Sequence, residues 1–599
     1  MTAVPHVGPI ADAIALPDVD GAASGRRWRL RDAEWREVEM MRQRLDIDQL
    51  LARVLSARGV TAEAASDFLE PSLRQSLPDP YVLHDMECAS AILADAVQTE
   101  AAIGVFGDYD VDGTSAAAIL WSYFDALGRE TPVYLPDRIT EGYGPSIEAF
   151  RALREAGAEI IVTVDCGAAA HEAINAAAAE GMKVIVLDHH LMDGPPPAGA
   201  EATVNPNRPD DISGLTNLSA AGVAFMTLVA LNRRLREAGW FASRSEPRLT
   251  EFLDLTALGL VCDVMALTGL TRVLVAQGLK ILEGGGNAGL KALAERAGAK
   301  GPASVYHLGF LIGPRINAAG RIGHARLAFE LLTTKEPARR IALAEKLHVM
   351  NAERQAIEAD VQREALKLIA DHCLDADDVI VAAGEGWHPG VIGIVAGRIK
   401  EKLDKPVIVI GVENGVGKGS GRSIDGVDLG RAVASARDDG VLINGGGHAM
   451  AAGLTINASR IDDLRERLNV ALEDAVDVAR QNRQLMIDAV IAPEAVARPL
   501  VEATALAGPF GVGNPEPVFA LSDLRVAHLR EVGENHIAAT LKGASGAEVR
   551  AIAFRAKDEP LGDVLRSNAR IHVAGKVRPD DWRGGLACQL QIVDAAPAS

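Results

Sequence analysis

Three short apolar runs, IGVFG, EIIVTVD and KVIVLDHH, follow one another between residues 103 and 190, separated by helix-forming, Ala-rich stretches. Strand–helix alternation of this kind builds a parallel sheet covered by helices. In such sheets the ligand lies beyond the carboxyl ends of the strands. All three runs deliver acidic or imidazole groups there. GDYDVDG supplies Asp108, Asp110 and Asp112, the second run ends at Asp165, and the third runs into Asp188, His189 and His190.

Each group has a plain structural explanation. An Asp-rich turn can cap a helix through Asp112 or Thr114, a single strand-end Asp is usually a cap, and a single His is usually structural. Three strands of one sheet ending alike point instead to a metal site, since carboxylates two apart on an extended segment face the same way. A fourth acidic group, Asp263, lies in the apolar stretch LGLVCDVMAL, where an unpaired carboxylate is costly. Carboxylates mixed with imidazole suit Mn²⁺ or Mg²⁺. Five or more ligands exceed what one small ion takes, so two ions are expected, an arrangement suited to in-line displacement at phosphorus. No GxxxxGK[ST] or GxSxG motif is present to support a nucleotide-triphosphatase or serine-hydrolase reading.

The other regions divide by texture. Residues 1–75 read as a helical segment, with amphipathic patterns in LLARVLSARG and AEAASDFLE. Residues 76–335 hold the first α/β domain. Residues 336–372 form a charged helical stretch whose only proline, Pro337, stands at its start, and which is expected to connect two domains. A second, smaller α/β pattern occupies 373–480. From 481 to 599, short strand-like runs alternate with turns such as VGENH and KGASGAE, the pattern of a small all-β barrel.

The 599 residues carry a net charge of −20. That disfavours a simple polyanion binder unless basic groups line one local channel. The C-terminal β region is nearly balanced in charge and fits such a channel better than the rest. Five scattered cysteines, none in a CxxC pair, argue against disulfides or a zinc finger and for a reducing cytoplasm. No apolar run is long enough for a membrane span and no secretory leader is visible.

DYDVDG, VTVDCG, LDHH and the Asp of VCDVMAL together resemble the four motifs of the DHH phosphoesterase superfamily. PDRITEGYG, VNPNRPD, GPRINAAGR, WHPGVIGIVAGR, GSGRS and INGGGHAMAAG follow in order and resemble the RecJ exonuclease family within it. The resemblance implies an α/β fold in which a parallel-sheet DHH domain is joined by a long helix to a DHHA1 domain, followed by a C-terminal OB-fold domain. It implies that Asp110, Asp112, Asp165, His189 and Asp263 are metal ligands, with Asp108 and His190 close participants. His190 is expected to contact the scissile phosphate, and Asp188 to orient a histidine.

Substrate contacts are also implied. Ser420 and Arg422 of GSGRS, with Arg138, would hold a 5′ phosphate, for which the arginine fork is suited. Gly446, Gly447 and His448 lie in the DHHA1 signature, where successive glycines let backbone N–H groups approach a phosphate. Arg315 and Asn317 either contact the nucleotide or brace the site. In the barrel, Phe519, Phe554 and Trp582 are stacking candidates or core residues, and Arg555, Lys557, Lys576 and Arg578 could follow phosphates. Cys262 stands where a small alanine-like residue is common and, like Cys166, is expected to pack behind the ligands.

The resulting expectation is a cytoplasmic exonuclease with two Mn²⁺ or Mg²⁺ ions, degrading single-stranded DNA from 5′ to 3′ into 5′ mononucleotides in repair and recombination. The resemblance further implies a monomer with a helicase and a single-strand-binding protein as partners, and no membrane association. A DHH phosphoesterase of short oligonucleotides or cyclic dinucleotides is the alternative. A catalytically dead scaffold is a third reading, disfavoured because all the ligand positions are present.

Overall fold

The computed structural model describes residue 19, residues 21–580 and residues 587–598. Among the described residues the first element is a short strand, β1 (Arg27–Leu30), whose partner comes only after residue 480. Backbone contacts divide the protein into two compact units. One spans Ser76–Arg480; the other joins the segment up to Gln75 with the segment from Gln481.

The larger unit begins with a five-stranded sheet. Its strands β2 (Ile103–Gly107), β3 (Val133–Tyr134), β4 (Ile160–Val164), β5 (Lys183–Leu187) and β6 (Ala202–Val204) lie in the order β3-β2-β4-β5-β6, and every pairing is parallel. β2 and β4 are buried along their whole length. Their continuous apolar sequences follow from helices covering both faces. Phe106, Phe150, Ile161, Val184 and Val186 form one of these layers.

The helix Pro337–Asp371 runs 35 residues, about 50 Å at helical rise. It is more than a connector. Its first half packs on the helices Ala288–Arg296, Gly313–Ile322 and Arg326–Thr333, and its second half on Ile392–Leu403. A buried pair one turn apart, Arg354 and Glu358, sits at its middle, with Arg354 also donating to Asn351 Oδ1 and Arg398 reaching Glu358 from the second domain. Burial in this form leaves both charges partnered, which an interior ion pair requires.

Beyond it, β7 (Ile380–Glu385), β8 (Val407–Glu413), β9 (Val416–Arg422), β10 (Asn444–His448) and β11 (Ala451–Asn457) form a second sheet in the order β10-β11-β9-β8-β7. Only β7–β8 is parallel.

In the smaller unit, β12 (Gln484–Ile487) pairs in parallel with β1, Arg27 opposite Gln484. β13 (Ala489–Val490) then leads into β14 (Phe519–Val532), β15 (His536–Lys542), β16 (Glu548–Ala553), β17 (Arg570–Pro579) and β18 (Cys588–Pro597). The pairing of β14 with β17 closes the last five into a barrel. The N-terminal segment shares this unit's core. Leu50 packs with Phe519, Leu541 and Leu590. Trp28 donates its indole N–H to the buried carboxylate of Asp594, which also accepts from Ser24.

Candidate metal centre

The acidic loop after β2 serves two structural ends at once. Asp110, not Asp112 or Thr114, is the N-cap of the helix Val111–Ala126; its Oδ1 accepts from the amides of Asp112 (2.8 Å) and Gly113 (3.1 Å). Asp112, in the first turn of that helix, is cradled by the start of another helix, Ala220–Glu237. Its carboxylate accepts from the Ser219 hydroxyl (2.7 Å) and the amides of Ala220 (2.6 Å) and Ala221 (3.1 Å). Helix N-termini favour negative charge, so two carboxylates are held by the positive ends of two helices.

His189 lies between Asp112 and two further carboxylates. Its Nε2 is 3.1 Å from Asp165, 3.4 Å from Asp263 and 3.8 Å from Asp112. Three overlapping groups of side chains have donor atoms close enough to share an ion: Asp108, Asp110 and Asp165; Asp112, His189 and Asp263; and Asp165, Asp188, His189 and His190. The five residues expected as metal ligands therefore converge, together with Asp108 and His190.

The electrostatics of the cluster call for a cation. Burial, reinforced by the Asp110 charge, pushes the carboxyls of Asp108 and Asp165 well above the usual range. Burial and neighbouring carboxylates raise Asp112 to about 7 and Asp263 to about 8. Burial and the His190 charge lower His189 to about 4, leaving it neutral with a lone pair to give. Asp108 Oδ1 and Asp263 Oδ2 are buried without a hydrogen-bond partner among the described residues, an arrangement that is expensive unless a positive ion completes it. The donor set of carboxylate oxygens and one neutral imidazole fits Mn²⁺ or Mg²⁺.

Behind the cluster stands Asp188. It accepts from Ala168 N (2.9 Å), His189 N (2.7 Å) and His190 Nδ1 (2.7 Å). Burial opposes its ionisation, but these partners, above all His190, win and hold it down at about 2. Burial likewise opposes protonation of His190, and Asp188 overcomes it, raising that imidazole to about 9. The adjacent histidines thus differ in charge at neutral pH.

Residues of the second α/β domain complete one side. A groove of about 960 Å³ is lined by Tyr143, His171, Asp188, His190 and, from the GGGH strand β10, His448. Gly447 has φ of +152° and its Cα–H side faces Ala451 so closely that a Cβ would lie 2.2 Å from that carbonyl oxygen, which only glycine permits.

The decisive comparison concerns the whole chain. It is 37% identical to the single-stranded-DNA-specific exonuclease RecJ of Dickeya dadantii, over 91% of this chain and 95% of that protein. It is 34% identical to the Escherichia coli enzyme of the same description, over 92% and 96%. The chain belongs to the RecJ family.

The DHH family N-terminal domain matches residues 102–260, the DHHA1 domain 376–474 and the RecJ OB domain 487–594. The crystal structure of RecJ in complex with Mn²⁺ from Thermus thermophilus superposes with a TM-score of 0.80 at 32% identity, covering 96% of this chain and 80% of that one. The Mg²⁺ complex of the same protein gives 0.75 at 30%, covering 96% and 79%. The parallel DHH sheet, the DHHA1 domain and the five-stranded OB barrel are those of RecJ, and the metals Mn²⁺ and Mg²⁺ agree with the donor set.

Within this RecJ chain the expected substrate residues fall into groups. Arg422 donates to Ser420 Oγ (3.3 Å), and both lie against Gly393 at the start of the helix Ile392–Leu403. Arg138 stands over the ring of Tyr109, 4.8 Å from its centroid. Arg315 is committed to His348 (3.2 Å) and the Leu311 carbonyl (2.6 Å), and neither it nor Asn317 hydrogen-bonds to the acidic cluster among the described residues. In the barrel, Phe519 is a core residue at 2% exposure, because the start of β14 faces inward; Phe554 is exposed and edge-on to His536. Lys557 is paired with Glu531, and Lys576 and Arg578 with Glu516. Trp582 lies outside the described residues.

The sequence reasoning passed over several residues. Tyr143 donates to the Asp165 carbonyl (3.1 Å) and sits 3.2 Å from His190 Nδ1. Arg321 is half-buried in the large unit and donates to the Gly390 carbonyl (2.9 Å). On the barrel, His528, Arg530, Thr540 and Arg550 line a groove of about 750 Å³. The two large-unit residues fall inside motifs already singled out; nothing in the sequence marked the barrel residues, whose shared face depends on strand register.

Proposed function

We propose that this RecJ-family exonuclease removes 5′ mononucleotides successively from single-stranded DNA, in the 5′→3′ direction, during repair and recombination. The observation that carries this reading is the set of carboxylates converging on His189, beside the half-buried arginines Arg138 and Arg422. Asp108, Asp110 and Asp165 would hold one divalent cation, and Asp112, His189 and Asp263 the other. When bound, the two ions would neutralise the cluster, lower the pKa of the attacking water and share the charge that builds on the phosphoryl oxygens.

The chain's own groups supply orientation. His190, protonated and held by Asp188, presents positive charge and a donor to the scissile phosphate. Arg138, Ser420 and Arg422 anchor the terminal 5′ phosphate, and the distance from that anchor to the metal centre sets the cut at one nucleotide. Gly446, Gly447 and His448 offer backbone and imidazole donors to a phosphate along the groove. Arg315 and Asn317 brace this wall. The barrel holds the strand through the face bearing His528, Arg530 and Arg550, a local basic surface on an acidic protein.

The reading includes the domain division at residues 76, 336, 373 and 481, a monomeric enzyme in the cytoplasm, and cooperation with a helicase and a single-strand-binding protein. No helix among the described residues is long and apolar enough to cross a membrane.

The test is digestion of a long 5′-phosphorylated single strand, labelled at either end, with Mn²⁺, by wild type and Asp110→Ala. Mononucleotides released from the 5′ end by wild type alone are expected. Cleavage confined to short oligonucleotides or cyclic dinucleotides would reject the reading in favour of a small-substrate phosphoesterase.

A further inference from the structure

Tyr109 lies between Asp108 and Asp110, in the middle of the metal loop, yet its side chain does not serve the acidic cluster. Its hydroxyl makes no hydrogen bond among the described residues. What it offers is a ring face, and the guanidinium of Arg138 lies over that face at 4.8 Å. Arg138 in turn has no hydrogen bond or ion pair to any described residue. A guanidinium lying over a ring face keeps its N–H groups available, and an arginine fork can grip two phosphate oxygens at once.

The backbone that carries the ring is closely packed. A Cβ on Gly320 would stand 2.6 Å from the Tyr109 carbonyl oxygen, so the helix Gly313–Ile322 presses directly on the loop. The next residue of that helix, Arg321, ties it to Gly390 in the second α/β domain. Arg321 and Arg422 both feel the charge of Arg138. Arg138 is within electrostatic reach of both these arginines and of Asp108, and its guanidinium lies against the ring of Tyr109.

We propose that Tyr109 is the positioning residue for Arg138 and thereby sets the preference for a strand end bearing a 5′ phosphate over one bearing a 5′ hydroxyl. This rests on the reading above that Arg138, Ser420 and Arg422 hold the terminal phosphate. It makes one tripeptide, Asp108–Tyr109–Asp110, serve the metals through its carboxylates and the strand end through its ring.

The test uses the full-length enzyme with Mn²⁺ and two strands identical except for a 5′ phosphate or a 5′ hydroxyl. The readout is the ratio of kcat/KM between them. Tyr109→Phe keeps the ring and should keep the ratio. Tyr109→Leu should lower it about tenfold, the worth of a partly desolvated cation–π contact, mainly through KM for the phosphorylated strand. Tyr109→Met, a second replacement without a ring face, should do the same and guards against a folding failure of the first. Arg138→Gln should also lower the ratio, and adding Tyr109→Leu to it should lower the ratio no further. Equal loss on both strands by Tyr109→Leu and Tyr109→Met, with the ratio intact, would overturn the proposal and reduce Tyr109 to a support of the metal loop. An unchanged ratio in Arg138→Gln would instead remove the phosphate reading itself, and the proposal with it.

Discussion

The Nδ1 of His190 lies 2.7 Å from the Oδ1 of Asp188, a carboxylate that also holds the backbone amides of both histidines. One buried acid therefore fixes the ring of one histidine and the backbone of its neighbour. Asp188→Asn keeps the size and some of the hydrogen bonds but removes the charge that keeps His190 protonated. Activity on single strands should fall about 10–100-fold, the usual effect of removing a partner behind a metal site, with the far-ultraviolet circular dichroism unchanged. Wild-type rates in this variant would mean that His190 is oriented by something else.

Gly259 approaches the centre from behind. A Cβ there would lie 2.3 Å from Asp112 Oδ1 and 2.6 Å from the Ala221 methyl. Gly259→Ala should therefore displace a ligand without deleting one. Calorimetric titration with Mn²⁺ is expected to give an affinity lowered at least about tenfold, and Gly397→Ala, with open space around its Cα, serves as the neutral control.

Val264 follows the ligand Asp263 with φ of +61° and its side chain 62% exposed. The Met265 amide closes the helix end onto the Leu260 carbonyl at 3.0 Å. That position normally takes glycine, and a β-branched residue in the left-handed region costs about 1–2 kcal/mol. Val264→Gly should raise the melting temperature of the apoprotein, offset in part by glycine's greater freedom when unfolded, while lowering the rate on DNA as the Asp263 loop loosens. A lower melting temperature would contradict the strain.

Asp254 gives a pH signature away from the metals. It is fully buried, accepts from the amides of Leu255 (2.8 Å) and Asn287 (2.5 Å), and burial raises its pKa to about 6. The unfolded chain releases this proton near pH ~4. Between about pH 4 and 6 the folded state binds the proton and the unfolded state does not, so stability falls as pH rises and levels off above the folded value. The penalty at neutral pH is about 3 kcal/mol. In urea unfolding, the stability of Asp254→Asn relative to wild type should climb by about 2–3 kcal/mol from pH 4.5 to 7.5. A flat difference would show that the buried carboxyl does not titrate there.

Legibility of the fold followed sequence distance. Asp110, Asp165 and His189 were readable because each ligand sits at the end of its own apolar run, and parallel sheets bring such ends together. β1 was not. RWRL lies in a stretch whose helical pattern starts just after it, and its pairing with QLMI depends on residues at the other end of the chain. The helix Pro337–Asp371 was visible in length, but its shared packing was not, because its charged face hides the buried Arg354–Glu358 pair. Tyr109 was overlooked for a different reason: an aromatic between two aspartates reads as loop filler until a guanidinium is found on its face.

The pairing of Arg27–Leu30 with Gln484–Ile487 bears on how this protein is made. The first strand leaves the ribosome long before its neighbour exists, so the larger unit can fold during synthesis while the smaller one has to wait for the strands that follow Gln481. A message broken ahead of Gln484 would yield a chain with every metal ligand present and an N-terminal strand permanently without its partner. Such a product would carry nuclease chemistry with an unpaired, sticky edge, a natural target for quality-control proteolysis.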